Sequence, residues 1–117
     1  MTFTIENGRF NGLSGALEDV LAKGLFPTTY ATDHATAPEL DWHNEEVLVY
    51  LIQGNAYFTD ADGLDHRLEA GGLITVPARI LHAEGNINEP IVMLIGLKEA
   101  PNADQYLLKH YPTKPYG

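Results

Sequence analysis

The apolar positions of this chain change their period as it runs. Early on they recur at helical spacing: Leu17, Val20 and Leu21 stand at i, i+3 and i+4, and Leu13 extends the stripe. That spacing predicts a helix over residues 15 to 23, capped by Ser14 and stopped by Gly24. Ahead of it, Phe3, Ile5 and Phe10 among Asn, Gly and Arg fit a short edge strand and a loop. From Leu25 onward short β-favouring runs take over: residues 28 to 32, 47 to 52, 56 to 59, 64 to 70, 73 to 76 and 91 to 95. Turn signals separate them, among them Ala35-Thr36-Ala37-Pro38, Asp60-Ala61-Asp62-Gly63 and Gly71-Gly72. A second helix is expected over residues 103 to 110, with Asn102 as its cap and Gln105 three residues on. Strands this short and this regularly punctuated predict an antiparallel sandwich or a small barrel.

Composition narrows the chemistry more than the fold. At 117 residues there is room for one domain with a single modest core. Seven basic against sixteen acidic residues give a formal charge of −9, spread along the chain. Such a surface repels phosphate backbones and anionic lipid, so nucleic acid and membrane are poor partners. The first residues carry neither the basic nor the apolar region of a signal peptide, and a cytoplasmic protein is expected. There is no cysteine, which leaves His, Asp and Glu as the strong metal ligands.

Candidate chemistry gathers at Asp41-Trp42-His43-Asn44-Glu45-Glu46, directly before Val47-Leu48-Val49-Tyr50-Leu51-Ile52. The second run is continuously apolar and rich in β-branched residues, hence a strand buried on both faces. A further piece, Pro77-Ala78-Arg79-Ile80-Leu81-His82, stands across a hairpin from it. Gly71, Pro77, His82 and Asn86 fall at the spacing Gly, five residues, Pro, four residues, His, three residues, Asn. With Arg79 in place of one glycine, this resembles the second histidine motif of the cupins, which are small double-sheet jelly-roll barrels. In the first motif, anchored on Gly54, His43 matches the second histidine. Asp41 stands at the first histidine, Val47 at the glutamate and Ala35 at the leading glycine.

The resemblance covers about residues 28 to 98. It implies an all-β, double-stranded β-helix (a cupin jelly-roll barrel) with short flanking N- and C-terminal helices. In cupins that hold metal, two histidines and a glutamate from the first motif and one histidine from the second bind a divalent ion inside the barrel. Carried over, His43 and His82 are retained and Asp41 substitutes an oxygen ligand, while Val47 cannot coordinate. Many such barrels pair through an exposed sheet edge, so a homodimer is expected. The family spans dioxygenases, isomerases, decarboxylases and lyases, and fold alone does not choose among them.

Strand geometry supports the same cluster. Side chains alternate, so Asp41, His43, Glu45, Val47, Val49 and Leu51 share one face, polar at one end and apolar below. Glu46 has the opposite parity and joins only through a β-bulge or a one-residue shift. Two imidazoles and a carboxylate make a facial triad, with positions open for substrate on Fe(II), Mn(II), Ni(II) or Zn(II). The candidate ligands are therefore His43, His82 and Asp41, with Glu45 or Glu46 as a fourth. Against this stands a metal-free pocket in which the two histidines bind substrate or shuttle protons. Arg79 either clamps a carboxylate or phosphate over the mouth or is simply solvent-exposed. His34 is a candidate for the entrance, and His66 and His110 read as surface residues. Asp60-x-Asp62-Gly63-x-Asp65 superficially suggests calcium, but it lacks the terminal glutamate of an EF-hand and reads as a hairpin. The leading expectation is a metal-dependent enzyme acting on a small organic molecule; the alternative is a metal-free module that binds a small molecule or sugar.

Overall fold

A computed structural model describes residues 2–32, 39–84 and 89–99. Its elements are β1 (Thr4–Glu6), α1 (Gly12–Ala22), β2 (Phe26–Thr32), β3 (Val47–Gln53), β4 (Asn55–Asp60), β5 (Asp65–Glu69), β6 (Leu73–Val76), β7 (His82–Glu84) and β8 (Ile91–Leu97). Two antiparallel sheets face each other, one ordered β1-β6-β3-β8-β2 and the other β5-β4-β7. The architecture is thus mostly β with one N-terminal helix, and the helix expected over residues 103 to 110 lies outside the described residues.

The double burial expected of Val47–Ile52 has a simple cause. Val47, Val49 and Leu51 point between the sheets, where they join Phe58, Leu68, Ile74, Val76, Met93 and Ile95 in the main core. Leu48 and Tyr50 point the other way and pack with Leu73 and Leu94 under Ala16 and Val20 of α1. A strand covered on both faces has no polar position to spare, and each fully buried aliphatic or aromatic side chain contributes roughly 1.5–3 kcal/mol.

The helix differs from expectation in two ways. It begins at Gly12, earlier than predicted, with Asn11 at the cap position and no side-chain cap bond. Its buried stripe is also displaced: Ala16 and Val20 are buried, Leu17 is partly so, and Leu21 is 61% exposed. Small residues face the sheet because the helix lies close to β8, where a Cβ on Gly96 would stand 2.7 Å from Val20 Cγ2. Tyr50 ties the two together, since its buried hydroxyl donates to Asp19 Oδ2 at 2.6 Å. Asp19 also accepts from Arg9 and Lys23, so the tyrosine's polar tip ends in a satisfied network.

Turns do what their residues predict. Asp60 Oδ1 accepts the amides of Asp62 and Leu64, closing the β4–β5 hairpin, and this accounts for the calcium-like spacing. Gly54, between β3 and β4, has φ +89°, and a Cβ there would meet the Pro90 carbonyl oxygen at 2.6 Å. Only glycine fits both demands.

Candidate metal centre

Two backbone contacts bring the histidine-bearing segments together. Asp41 and His82 form an antiparallel bridge, with the Asp41 amide donating to the His82 carbonyl at 2.8 Å and the His82 amide donating back at 3.0 Å. The Arg79 amide then donates to the His43 carbonyl at 2.8 Å. Residues opposite each other in such a pair project to the same face, so Asp41 and His82 enter the cavity side by side. His43, two residues beyond Asp41, follows by alternation.

The three side chains offer ligand atoms that all lie within 4.8 Å of one another. Asp41 Oδ1 is 3.5 Å from His43 Nε2 and 3.6 Å from His82 Nε2. Those separations are too long for hydrogen bonds. They suit atoms sharing an ion: metal–ligand bonds of 2.0–2.2 Å at tetrahedral angles set ligand atoms about 3.4 Å apart. Asp41 Oδ1 is buried and has no hydrogen-bond partner among the described residues. A buried carboxylate oxygen left in that state costs free energy, and a cation between the three residues would repay it. His82 is already oriented for this role. Its Nδ1 lies 2.9 Å from the Ile80 carbonyl, which can only accept, so Nδ1 carries the proton and Nε2 presents its lone pair to the cavity.

A cavity of about 50 Å³ adjoins the cluster. Asp41, His43, His82 and Glu84 supply its polar wall, and Val47, Val49, Phe58, Val76, Met93 and Ile95 the apolar one. Val47, at the position where the motif has glutamate, is thus a buried part of the wall and offers no ligand atom.

Two of the proposed glutamates do not join. The chain bends at Asn44 and Glu45, and β3 begins only at Val47. The bend takes Glu45 off the face it would share with Asp41 and His43, and Glu46 keeps its opposite parity; both are exposed, and neither belongs to the ligand cluster. Arg79 is likewise exposed and does not line the cavity. Its contribution is through the backbone, which turns there at φ +65°, the one non-glycine residue with positive φ among those described. His34 lies outside the described residues. His66 is not a bare surface residue: its Nε2 is 2.8 Å from Asp60 Oδ2, and its ring packs edge-on to Phe3. Glu84 is the cavity residue that the sequence reading missed. The parity of His82 would have shown it, had β7 been recognised as a strand.

Comparison with known proteins agrees with this geometry. A family described as Cupin matches residues 30–113. The chain belongs to the cupin family. Among solved structures, the cupin aligns with a DUF861 family protein from Thermotoga maritima at 17% identity and TM-score 0.58, covering 81% of this chain and 98% of that one. A chain from crystal structures of two DMSP lyases aligns at 26% identity and TM-score 0.52, over 65% of this cupin and 42% of its own length. The DMSP lyase DddQ from Ruegeria pomeroyi aligns at 18% identity and TM-score 0.52, over 74% of this cupin and 43% of the lyase. This cupin therefore spans less than half the length of either lyase chain. No curated protein matches it.

Proposed function

We propose that this cupin binds one divalent transition metal through His43, His82 and Asp41 and acts on a small organic molecule in the adjoining cavity. Bound there, Fe, Mn, Ni or Zn would supply Lewis acidity to a donor atom of the substrate. The residues do the rest. His82, oriented by the Ile80 carbonyl, and Asp41 and His43, whose backbone is fixed by the bridge to His82 and the Arg79 amide, hold three donors on one side and leave the opposite side facing the apolar wall. That wall excludes water and grips the hydrocarbon part of a ligand. The observation that carries the reading is the buried Asp41 Oδ1, without a hydrogen-bond partner among the described residues, at metal-sharing distance from two Nε2 atoms. Resemblance to DMSP lyases favours lyase-type chemistry within the range open to such a site. A metal-free binding module is the second reading, and Val47 at the motif's glutamate position is what favours it.

Metal content separates the two. Tag-free protein, reconstituted with each metal and measured by elemental mass spectrometry, is expected to hold close to one ion per chain. The His43→Ala, His82→Ala double variant is expected to hold about a tenth of that or less under the same washing, as two of three ligands are gone. A wild type that stays empty after every reconstitution sinks the metalloenzyme and leaves the binding module.

A further inference from the structure

Exposed apolar side chains gather on one side of this protein. Among the described residues six large ones are exposed, and four of them, Leu13, Leu21, Phe26 and Tyr30, belong to β2 or to α1, which packs beside it. We propose that β2 is a docking edge for a second copy of this chain, the two β2 strands pairing antiparallel about a two-fold axis near Thr29. The proposal stands apart from the metal reading and does not depend on it.

Among the described residues, β1, β2, β5 and β7 end the two sheets. Three of these strands carry charge: Glu6 in β1, Asp65, Arg67 and Glu69 in β5, and Glu84 in β7. Charged side chains keep an edge from pairing with another strand, since pairing would strip their hydration. β2 is the exception. Its seven residues, Phe26-Pro27-Thr28-Thr29-Tyr30-Ala31-Thr32, include no charged one, in a chain with seven basic and sixteen acidic residues. Phe26, Thr28 and Tyr30 stand opposite Leu97, Ile95 and Met93, so they project to the face that carries the core. Yet Phe26 is 43% and Tyr30 39% exposed, because three strands do not cover five and β2 ends the wider sheet. The other face of β2 is also rimmed by apolar surface. Val20 points onto β8 at Gly96, and Asp19 reaches Tyr50 of β3. Successive helical side chains are about 100° apart, so Leu21 falls on the opposite flank, towards β2, and it is 61% exposed.

The sequence of β2 suits pairing with itself. About Thr29, Thr28 stands opposite Tyr30, Pro27 opposite Ala31 and Phe26 opposite Thr32. Aromatic and β-branched residues then meet across the axis, as strand pairs favour, and the ladder lacks only the amide that Pro27 does not have. Charge selects the same place. Each copy carries −9, so two copies repel wherever their acidic faces meet, whereas β2 joins them with no like charges opposite each other. A two-fold contact also closes on itself, leaving neither copy with a free β2 edge. Met93 and Ile95, opposite Tyr30 and Thr28, line the cavity, so the interface would stand one strand behind the cavity wall.

Charge placed at the axis tests this on the full chain. Thr29 is exposed, so Thr29→Lys and Thr29→Asp each set like charges opposite each other in a self-paired strand. Sedimentation velocity from micromolar to submillimolar protein is expected to show a dimer for the wild type. Either variant should raise its dissociation constant roughly tenfold or more. An equimolar mixture of the two, one of them isotopically labelled, should form mixed dimers in preference to like ones, read by native mass spectrometry. That rescue separates an interface from a folding defect, because an unfolded variant recovers nothing. A monomeric wild type overturns the proposal, whether its edge is bare, covered by the rest of the chain or kept for a different protein. A dimer that both variants leave intact places the contact elsewhere and overturns it too, as do folded variants that fail to form mixed dimers. Hydrogen exchange of the wild type decides the matter even if a variant does not fold. Amides of β2 should exchange more slowly as protein concentration rises, and exchange there that ignores concentration overturns the proposal.

Discussion

Arg79 carries a cost that glycine would not. Its φ of +65° is a left-handed conformation, where an L side chain brings Cβ close to the following carbonyl oxygen. The side chain is exposed and does not reach the cavity, so nothing there repays the strain. What the position does supply is a backbone amide for the His43 carbonyl, and glycine supplies that equally. Arg79→Gly is therefore expected to stabilise the fold by roughly 0.5–1 kcal/mol, the relief of strain exceeding the entropy that glycine adds to the unfolded chain. The gain would be read as a higher urea midpoint with unchanged metal content. A lower midpoint would mean that the guanidinium makes a stabilising contact.

Between elements, α1 packs closely on β8. Gly96 leaves the space into which Val20 and Leu25 pack, and a Cβ there would lie 2.7 Å and 3.1 Å from their side chains. Gly96→Ala is expected to push the helix off the sheet, costing about 1–3 kcal/mol by overpacking, seen as a drop in thermal midpoint. The cavity lies on the opposite face of the sheet, so metal stoichiometry should not move. An unchanged midpoint would show that the helix shifts without cost. The same closeness explains the displaced apolar stripe, since Ala16 fits against the sheet where a leucine would not.

For the molecule as a whole, carboxylates that anchor elements govern its response to acid. Burial alone would raise the Asp19 carboxyl, but hydrogen bonds from Lys23 and Tyr50, the Lys23 charge and a bond from Arg9 prevail and hold it at about 2. Burial raises the Tyr50 hydroxyl, and its bond to Asp19 and that residue's charge raise it further, so the proton stays on the tyrosine. Asp60 is lowered as well, first by the bond from His66 and then by the Leu64 amide. A carboxylate whose folded pKa lies below its unfolded value contributes stability above the unfolded value and loses it as pH falls. Through these two carboxylates the protein is thus expected to lose stability between about pH 4 and 2. Asp19 would account for on the order of 1 kcal/mol of that loss, its partly solvated ion pairs being screened. Asp19→Asn should flatten the profile in this window, and a variant profile parallel to the wild type would remove Asp19 from the account.

Much of this was legible in the residues. The β-branched runs and their turns placed most of the strands, and the unbroken Val47–Ile52 run announced a strand covered on both faces. The Gly71-Pro77-His82 spacing pointed to the family, because turns and alternation are set by neighbours in sequence. The site was legible only as far as alternation held. A bend at Asn44 and Glu45 turned Glu45 out to solvent, where parity already placed Glu46, and no local signal marks that bend. Glu84 went unseen because β7 has three residues, too few for a periodicity. Folding alone could set Asp41 Oδ1 within 3.6 Å of His82 Nε2, since the two residues are forty-one positions apart and meet through a backbone bridge. Sequence names the donors; the distances between them belong to the packing of two sheets.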